Sequence, residues 1–227
     1  MKFAVVVFPG SNCDSDCHYA LKEVVGAPVE YVWFKNALPK DIDAVILPGG
    51  FSYGDYLRCG VLAKFAPVMS SVKELALRGN PVLGICNGFQ ILLEAGLLPG
   101  ALLRNTCLHF LCHDVHLKTE RTDTIFSAGL PEVIQLPIAH NEGNYFTSPD
   151  GMRRLEDNGQ VLFRYASADG VVDEASNPNG AMGNIAGILN EQGNILGMMP
   201  HPERASELEL GCADGRGIFE ALVHAYC

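Results

Sequence analysis

The most regular feature of the chain is a series of short apolar runs separated by polar segments of helical spacing. Runs of this length, rich in Val, Ile and Leu, are typical of buried strands. They are KFAVVVF at 2–8, VEYVWF at 29–34, AVILP at 44–48, PVLGI at 81–85, VIQLPIA at 133–139 and ILGMM at 195–199. In the first half they alternate with two predicted helices, DCHYALKEVV at 16–25 and VMSSVKELALRG at 68–79. This order predicts βαβ units and a mainly parallel sheet.

The second half of the chain has a different pattern. Between about Leu103 and Ile188 the strand-like pieces lie closer together with few helical stretches, which favours added antiparallel strands. The segment DGRGIFEALVHAY at 214–226 has the spacing of a closing helix. We see no repeat or linker, so we expect residues 1–227 to form a single α/β domain. Its sheet should be doubly wound and mainly parallel, with helices on both faces and some antiparallel strands.

Composition and charge narrow the classes of function. The 227 residues are 48% hydrophobic and 19% charged, which suits one compact core. A net charge of −10 without clustered Lys and Arg argues against binding to nucleic acid. The first apolar run is too short for a signal-peptide core or a membrane span, so we expect no membrane association. Eight cysteines without a secretion signal indicate reduced thiols in a cytoplasmic protein.

Cys86 has the most informative surroundings of any residue in the chain. It lies between the buried run PVLGI and a segment of helical spacing, and Gly84 and Gly88 flank it in the pattern Gly-x-Cys-x-Gly. Small neighbours allow the cramped strand-to-helix turn that presents a nucleophile at the carboxyl end of a sheet. A helix beginning near Asn87 would direct free N–H groups at the sulfur, where they favour the thiolate and can hold an oxyanion.

A base for this thiol is expected much later in the chain. His201 and Glu203 follow the run ILGMM and are separated by Pro202. Residues two apart in an extended segment point to the same side, and proline disfavours a helical conformation at the preceding residue. If folding closes the 115-residue gap to Cys86, the imidazole can take the thiol proton while the carboxylate fixes its tautomer.

Each half of this constellation also has a simpler explanation. A glycine-flanked cysteine after a buried strand is often a packed core residue, and His-Pro-Glu can be a solvated turn. Their joint occurrence after two predicted central strands favours a site, because ligands bind beyond the carboxyl ends of strands in open α/β sheets.

Two other segments look like cofactor sites at first sight. TCLHFLCHDVH at 106–116 is rich in Cys and His, but it lacks the combined CxxC and HxxxH spacing of a structural zinc site, and its strand-like alternation separates the candidate ligands. The glycine-rich stretch at 50–54 lacks the Gly-Lys-Ser/Thr ending of a phosphate loop. We therefore expect neither a metal nor a nucleotide cofactor in this chain.

Five segments give the chain a family resemblance from end to end. Gly-Ile-Cys-Asn-Gly-Phe-Gln and the distant Pro-His-Pro-Glu resemble the class I, or triad, glutamine amidotransferases. Two further segments are similar to the free-standing glutaminase subunits of phosphoribosylformylglycinamidine synthase, the PurQ family. The five are FPGSNCD at 8–14, LPGGFSYGDYLRCG at 47–60, GICNGFQIL at 84–92, AHNEGNY at 139–145 and MMPHPERA at 198–205. The fourth more often reads His-Gly-Glu-Gly in the family, so Asn141 replaces a glycine here.

The resemblance implies a flavodoxin-like fold and a catalytic role for each matching residue. Cys86 attacks the side-chain amide of L-glutamine, His201 acts as acid and base, and Glu203 orients the imidazole. The backbone N–H groups of Gly50 and Asn87 form the oxyanion hole.

The resemblance also implies a substrate site. Gln90, four residues after Cys86 on the predicted helix and therefore on the same face, contacts the bound glutamine. His140 and Glu142 belong to the same site, although a polar turn after VIQLPIA would also explain them.

Partners follow from the resemblance as well, because nothing in the sequence would bind ATP. The ammonia should pass to a large PurL-like synthetase, assisted by a small PurS-like protein, with ATP and magnesium bound to the synthetase. That complex aminates formylglycinamide ribonucleotide to formylglycinamidine ribonucleotide in de novo purine biosynthesis. We expect the isolated chain to hydrolyse glutamine slowly, because docking completes the site.

Two other functions stay open from the sequence. One is a cysteine peptidase or deglycase-like hydrolase on a related fold. The His-Pro-Glu segment and Gln90 favour glutamine as the substrate over this alternative. The other is a catalytically silent assembly protein, against which the intact Cys86, His201 and Glu203 count.

Overall fold

The core of the protein, within the described residues 1–225 of the computed structural model, is a nine-stranded mixed sheet with a separate two-stranded sheet. The strands are Phe3–Val7 (β1), Val29–Trp33 (β2), Ala44–Leu47 (β3), Val82–Ile85 (β4), Ala101–Leu103 (β5), Leu111–Thr119 (β6), Val133–His140 (β7), Asn144–Phe146 (β8), Val161–Ala166 (β9), Ile185–Leu189 (β10) and Ile195–Met198 (β11). The helices are Asp14–Tyr19 (α1), Val68–Leu77 (α2), Asn87–Glu94 (α3), Pro149–Asp157 (α4) and Arg216–His224 (α5).

The large sheet divides into a parallel and an antiparallel part. Its strand order is β2-β1-β3-β4-β11-β10-β9-β6-β7. The first five strands are parallel to their neighbours, and every pairing from β11 to β7 is antiparallel. β5 and β8 form the small sheet. The predicted α/β fold, with antiparallel strands contributed by the second half of the chain, is confirmed.

Burial explains which apolar runs lie at the centre. β3, β4 and β11 are buried at every position, as expected for parallel strands covered on both faces. β7, at one edge of the sheet, alternates between buried and partly exposed residues, which is the pattern of a strand covered on one face. All six apolar runs of the sequence therefore form strands, and their burial follows their position in the sheet.

The helices agree with the sequence pattern except in one place. α1 continues as a π-helical turn at Ala20–Val24, and together they match the first predicted helix. α5 ends at His224, and the predicted extension of this helix to Tyr226 falls outside the described residues. α4 was not predicted because it is short and polar. Its signal is Ser148, whose hydroxyl accepts a hydrogen bond from the Gly151 N–H, followed by Pro149.

No helix within residues 1–225 is both long enough and apolar enough to cross a membrane. The described helices are short elements that cover the sheet.

The antiparallel part of the sheet curves back over the parallel part. β7 is the edge strand farthest from β4 in the antiparallel direction. Nevertheless the Pro137 carbonyl in β7 accepts a 2.8 Å hydrogen bond from the backbone N–H of His201, and Ala139 O lies 3.7 Å from Cys86 Sγ. The edge strand thus forms a wall over the carboxyl ends of the central strands.

Candidate active site

Cys86 occupies a strained turn directly between β4 and α3. Its φ of 49° and ψ of −103° lie outside the helical and extended regions that residues other than glycine prefer. Its backbone N–H donates a 2.8 Å hydrogen bond to Met198 O at the end of β11, which ties the turn to the neighbouring central strand. Strain of this kind costs on the order of 1–3 kcal/mol and concentrates at functional sites. The predicted strand-to-helix turn is confirmed, and α3 begins at Asn87 as expected.

Gly88 explains how α3 can begin so close to the sheet. A Cβ at Gly88 would collide with the carbonyl oxygen of Leu47, the last residue of β3. The helix N-terminus therefore rests on the end of β3, next to the loop that starts at Pro48. Only a residue without a side chain permits this approach.

The loop after β3 is tied to the start of α3 by a hydrogen bond between Ser52 N–H and Asn87 Oδ1, at 3.2 Å. Gly50 has a φ of +127°, and a Cβ there would lie 2.6 Å from the backbone nitrogen of Asn12. Asn87 is the first residue of its helix, so its N–H has no acceptor within the helix. The two N–H groups expected to form the oxyanion hole thus belong to segments that the fold joins.

His201 and Glu203 lie side by side beyond β11. His201 Nδ1 is 2.6 Å from Glu203 Oε1, and the two residues are 1% and 2% exposed. Glu203 lies in a 3₁₀ turn at Pro202–Ala205 that starts directly after His201. The predicted pairing of this histidine with this carboxylate is confirmed, but it is made through the 3₁₀ turn and not through the extended segment on which the prediction was based.

β7 places Cys86 close to His201, because the His201 N–H bonds to Pro137 O at 2.8 Å and Cys86 Sγ lies 3.7 Å from Ala139 O, two residues along the same strand. Burial by itself lowers the pKa of His201, but the Glu203 carboxylate, the Cys86 sulfur and hydrogen bonding to the thiols of Cys13 and Cys86 hold that pKa well above its usual value. His201 Nε2 makes no hydrogen bond of standard geometry among residues 1–225, so its polar contacts with these thiols are long or poorly aligned in this structure. Such catalytic contacts often tighten only when substrate is present. The fold therefore brings the predicted nucleophile and base together.

Gln90 connects α3 to the segment at 139–145. Its Oε1 accepts a 2.9 Å hydrogen bond from Asn87 Nδ2, and its Nε2 donates a 2.9 Å bond to the backbone carbonyl of Glu142. Asn87 Nδ2 also lies 3.3 Å from Asp55 Oδ1. Gln90 and Glu142 are therefore brought together beside Cys86, in a network that includes Asp55.

Asp55 and Glu142 give this network two acidic side chains close together. Burial raises the pKa of Asp55, hydrogen bonds from Cys59 and Asn87 oppose that shift, and the charge of Glu142 adds to it. Sequence reasoning did not select Asp55, although it lies inside the segment LPGGFSYGDYLRCG. Asp55 has a positive φ of 54°, and no sequence pattern predicted that backbone conformation.

His140 is held by buried asparagines. Its Nδ1 lies 3.1 Å from Asn105 Oδ1 and its Nε2 lies 3.5 Å from Asn179 Nδ2. Burial, and secondarily the charge of His201, lowers the pKa of His140 to about 4. The ring is thus neutral at physiological pH and is bonded on both sides. Asn141, which replaces the family's glycine, does not adopt a positive φ, so this turn does not need a glycine there.

The space around these residues is small. A cavity lined by Cys59, Gln90 and Glu142, with Arg58, Leu93, Glu94 and Leu102, holds only about 10 Å³. A larger cavity of about 600 Å³ includes Ile195, at the amino end of β11, and so lies at the opposite end of the parallel strands from Cys86. Neither of these two cavities is lined by Cys86, His201 or Glu203, and only the small one includes the candidate substrate-site residues Gln90 and Glu142.

One thiol close to the site was not selected from the sequence. Cys13 is 1% exposed and follows β1, and Arg204 Nη2 lies 3.0 Å from its sulfur. Among residues 1–225, Cys13, His201 and Glu203 are close enough together to be possible metal ligands. The cysteines and histidines of 106–116 do not form such a group within the described residues. The sequence feature that could have selected Cys13 was its position in the segment FPGSNCD, one of the five that carry the family resemblance.

Comparison with known proteins identifies the family. Residues 1–210 match the CobB/CobQ-like glutamine amidotransferase domain. A relative from Moorella thermoacetica, named phosphoribosylformylglycinamidine synthase subunit PurQ, is 56% identical over 98% of this chain and 95% of its own length. Another of the same name from Bradyrhizobium diazoefficiens is 56% identical over 98% of this chain and 97% of its own. The chain belongs to the PurQ family of glutamine amidotransferases.

Solved structures agree with this assignment. A chain in the structure of PurLQS from Thermotoga maritima superimposes with a TM-score of 0.88 and 41% identity, covering 100% of this chain and 99% of that chain. A glutamine amidotransferase from Thermotoga maritima shares the fold at 17% identity, with a TM-score of 0.56 over 99% of this chain and 90% of that chain. The PurQ resemblance and the enzyme class predicted from the sequence are confirmed.

Proposed function

We propose that this PurQ-family chain is the glutaminase component of a phosphoribosylformylglycinamidine synthase and releases ammonia from L-glutamine at Cys86. The observation that carries the proposal is the strained Cys86 turn beside a buried imidazole that is hydrogen-bonded to a carboxylate at 2.6 Å. A nucleophile, a base and an orienting group are the parts that acyl transfer from an amide requires.

In the first step, Cys86 Sγ adds to the side-chain carbonyl carbon of glutamine. The thiol proton goes to His201 Nε2, and the carbonyl oxygen becomes an oxyanion that the N–H groups of Gly50 and Asn87 stabilise. The carbon–nitrogen bond then breaks, and His201 returns the proton to the departing nitrogen. The products of this step are ammonia and a glutamyl thioester on Cys86.

In the second step, water hydrolyses the thioester. His201 Nε2 accepts a proton from the water as its oxygen attacks the thioester carbonyl, and the sulfur leaves and is reprotonated. Glu203 keeps Nδ1 protonated and so leaves Nε2 as the site of proton exchange. Glutamate is released and the thiol is regenerated.

Substrate binding is assigned to the polar network beside α3. Gln90 contacts the bound glutamine, and the carboxylate of Glu142, with Asp55 nearby, suits the α-ammonium group because a cation relieves the repulsion between two acidic groups. His140 contributes by holding the turn that carries Glu142, since both of its ring nitrogens face asparagines.

Ammonia released here is used by another chain. The structure from Thermotoga maritima contains PurLQS, and we assign two partners to this chain, a PurL-like synthetase and a small PurS-like protein. ATP and magnesium belong to the synthetase, where formylglycinamide ribonucleotide is aminated. We also assign residues 1–227 to one glutaminase domain that works in the cytoplasm, where the seven free cysteines among residues 1–225 stay reduced.

The segment at 50–60 supports activation by docking, because it carries Gly50 of the proposed oxyanion hole and borders Gln90 through Arg58 and Cys59. In that segment Tyr53, Asp55 and Leu57 have positive φ, and Tyr56 and Leu57 are 75% and 89% exposed. Docking of the synthetase on these exposed side chains would open the site.

The proposal is tested with a glutamine-like diazo-ketone, followed by intact mass and peptide mapping. Single labelling at Cys86 that glutamine blocks supports it. Labelling that ignores glutamine would indicate a peptidase or deglycase-like hydrolase, and no labelling would indicate a silent assembly protein. In the reconstituted complex, Cys86→Ala should abolish glutamine-dependent amination and preserve amination from free ammonia.

Coupling is tested in the same system. Glutamine hydrolysis by wild-type chain alone should be slow and should rise when the synthetase and its nucleotide are added. Full activity of the isolated chain, with no gain on addition of partner, would contradict docking-dependent opening.

A further inference from the structure

Arg58 is the only cationic side chain among the described residues that line the small cavity beside Gln90. Hydrogen bonding to Glu94 raises the pKa of Arg58, and the charge of Glu142 adds a smaller contribution. Arg58 and Glu142 therefore lie close enough to interact across this cavity. A cation and a carboxylate placed side by side suit a ligand that carries both charges.

Glu94 holds the guanidinium of Arg58 by one of its edges. Arg58 Nε lies 2.6 Å from Glu94 Oε1, and Arg58 Nη2 donates a 2.7 Å hydrogen bond to Glu94 Oε2. A guanidinium has five N–H donors, and this pair uses one on Nε and one on Nη2. The other edge, formed by Nη1 and the second N–H of Nη2, makes no hydrogen bond within residues 1–225. An edge of this kind binds a carboxylate through two parallel hydrogen bonds.

The charges around Arg58 leave its open edge attractive to an anion. Lys64 Nζ lies 3.7 Å from Glu94 Oε2, so two cations share the single carboxylate of Glu94. The side chain of Arg58 is 61% exposed, so a ligand can reach it from solvent. Glu94 thus fixes the orientation of Arg58 without neutralising the whole group.

We propose that Arg58 binds the α-carboxylate of L-glutamine and thereby selects α-amino acids from other carboxamides. This inference rests on the proposed glutaminase function and supplies the counterpart of Glu142, which is assigned to the α-ammonium group. An α-amino acid carries both charges on one carbon, so their two partners must be close together, as Arg58 and Glu142 are. Arginine suits this role because its planar fork matches the geometry of a carboxylate.

The length of glutamine fits the spacing along α3. Cys86, Gln90 and Glu94 follow one another at intervals of four residues, so they lie along one face with a rise of about 5.4 Å per turn. In extended glutamine the side-chain carbonyl carbon and the carboxylate carbon are four bonds, or about 5 Å, apart. With its amide carbon at Cys86, the substrate extends its carboxylate to the level of Gln90, where Arg58 lines the cavity. The cavity of about 10 Å³ does not enclose the substrate, which lies along its open side.

Substrate fragments test this assignment in the reconstituted complex. γ-Aminobutyramide is glutamine without its α-carboxylate, and glutaramate is glutamine without its α-ammonium group. Arg58→Ala should lower kcat/KM for glutamine at least about tenfold, as expected for the loss of a hydrogen-bonded charge pair. The loss should appear in KM, and kcat should stay within about threefold of wild type, because the reacting groups are unchanged. For γ-aminobutyramide, kcat/KM should change by less than about twofold, since it has no carboxylate for Arg58 to bind.

Two comparisons separate carboxylate binding from a general effect on the loop. The preference for glutamine over glutaramate should be the same in wild type and Arg58→Ala, because both compounds carry the carboxylate. Arg58→Lys should recover part of the loss for glutamine, since it keeps the charge without the fork. Arg216 also pairs with a glutamate, Glu220 at 2.6 Å, but lies on α5, so Arg216→Ala should leave the kinetics of all three compounds unchanged.

Equal losses for glutamine and γ-aminobutyramide in Arg58→Ala would overturn the proposal, since Arg58 would then support the loop and not the carboxylate. An unchanged KM for glutamine would overturn it as well. If no variant turns over γ-aminobutyramide, its inhibition constant against glutamine replaces kcat/KM in this comparison. None of these results affects the proposed function, which Cys86 labelling and glutamine hydrolysis by wild type decide separately. If wild type showed neither, the proposed function would fail and the role of Arg58 with it.

Discussion

The backbone N–H of Cys86 donates a 2.8 Å hydrogen bond to the carbonyl oxygen of Met198. This bond continues the parallel pairing in which Ile85 lies opposite Met198. His201 comes only three residues after Met198, so the ladder between β4 and β11 sets the distance between Cys86 and His201. A rigid scaffold of this kind is what a reaction needs when its groups must be held in place before substrate binds.

The roles of His201 and Glu203 can be separated by substitution. His201→Ala should remove glutamine hydrolysis almost as completely as loss of Cys86, because the proton has no other acceptor. Glu203→Gln should be less severe, because it removes only orientation and charge at Nδ1, 2.6 Å away. In another triad the base and the carboxylate alone are worth about 10⁶ and 10⁴ in turnover. Steady-state rates of the complex measure the difference, and equal losses would argue against the division of roles.

Relief of strain at Cys86 should be visible in stability. Cys86→Gly and Cys86→Ala both remove the thiol, but only glycine adopts a φ of 49° without penalty. We expect Cys86→Gly to be more stable than Cys86→Ala by about 1 kcal/mol, since Ala at positive φ is destabilising. Urea unfolding of the two inactive variants measures this, and a less stable glycine variant would show that the turn is not strained.

Gly88 should tolerate no side chain. Gly88→Ala places a methyl group against Leu47 O, which is backbone and cannot rotate away, so we expect a loss of at least about 2 kcal/mol in the free energy of unfolding. Gly217→Ala is the matched control. Gly217 is likewise the second residue of a helix, α5, but its added methyl would meet the flexible end of Leu130.

The two glycine variants are compared by urea unfolding and by glutamine hydrolysis. Gly217→Ala should change stability by less than about 1 kcal/mol, because helix propensity offsets the contact. Similar losses in both variants would mean that the approach of α3 to β3 is not the limiting contact.

His140 should make the fold sensitive to acid. Its pKa is lowered to about 4 from the usual value of 6.5, so between these pH values the unfolded chain binds a proton here that the folded chain does not. The stability that the neutral ring provides is present above pH 6.5 and is lost as pH falls toward 4. The loss amounts to about 3 kcal/mol, since each pKa unit corresponds to about 1.4 kcal/mol.

This dependence is measured by urea unfolding between pH 7 and pH 4. His140→Gln should have a flatter profile than wild type across that window, because glutamine does not titrate. His224→Gln, at an exposed position, controls for the loss of a histidine. Parallel profiles for wild type and His140→Gln would contradict the buried neutral ring.

Much of the fold was readable in the sequence because burial in this sheet follows local hydrophobicity. Runs such as AVIL and VLGI are apolar at every position, and only strands covered on both faces need that pattern. The Gly-x-Cys-x-Gly turn was readable for a related reason, since each glycine answers a steric need of the turn. The helix α4 was not predicted because its sequence is polar, and its only helix signals are the capping Ser148 and the proline that follows it.

The order of strands in the sheet was beyond the sequence. β11 comes last among the strands, yet it pairs with β4, and the chain contains no local signal for that choice. The pairing depends on which buried strands fit together after both halves fold. Likewise Asp55 and Cys13 joined the site only through contacts with residues far along the chain.

By itself, then, the sequence determined the buried strands, the nucleophile turn and the histidine–carboxylate pair, because each depends on neighbours within a few positions. Only the tertiary structure decided that these parts face one another, that β7 covers them and that Cys13 lies beside His201. Those relationships depend on contacts between distant segments, whose energies come from packing and burial of the whole sheet rather than from any local pattern.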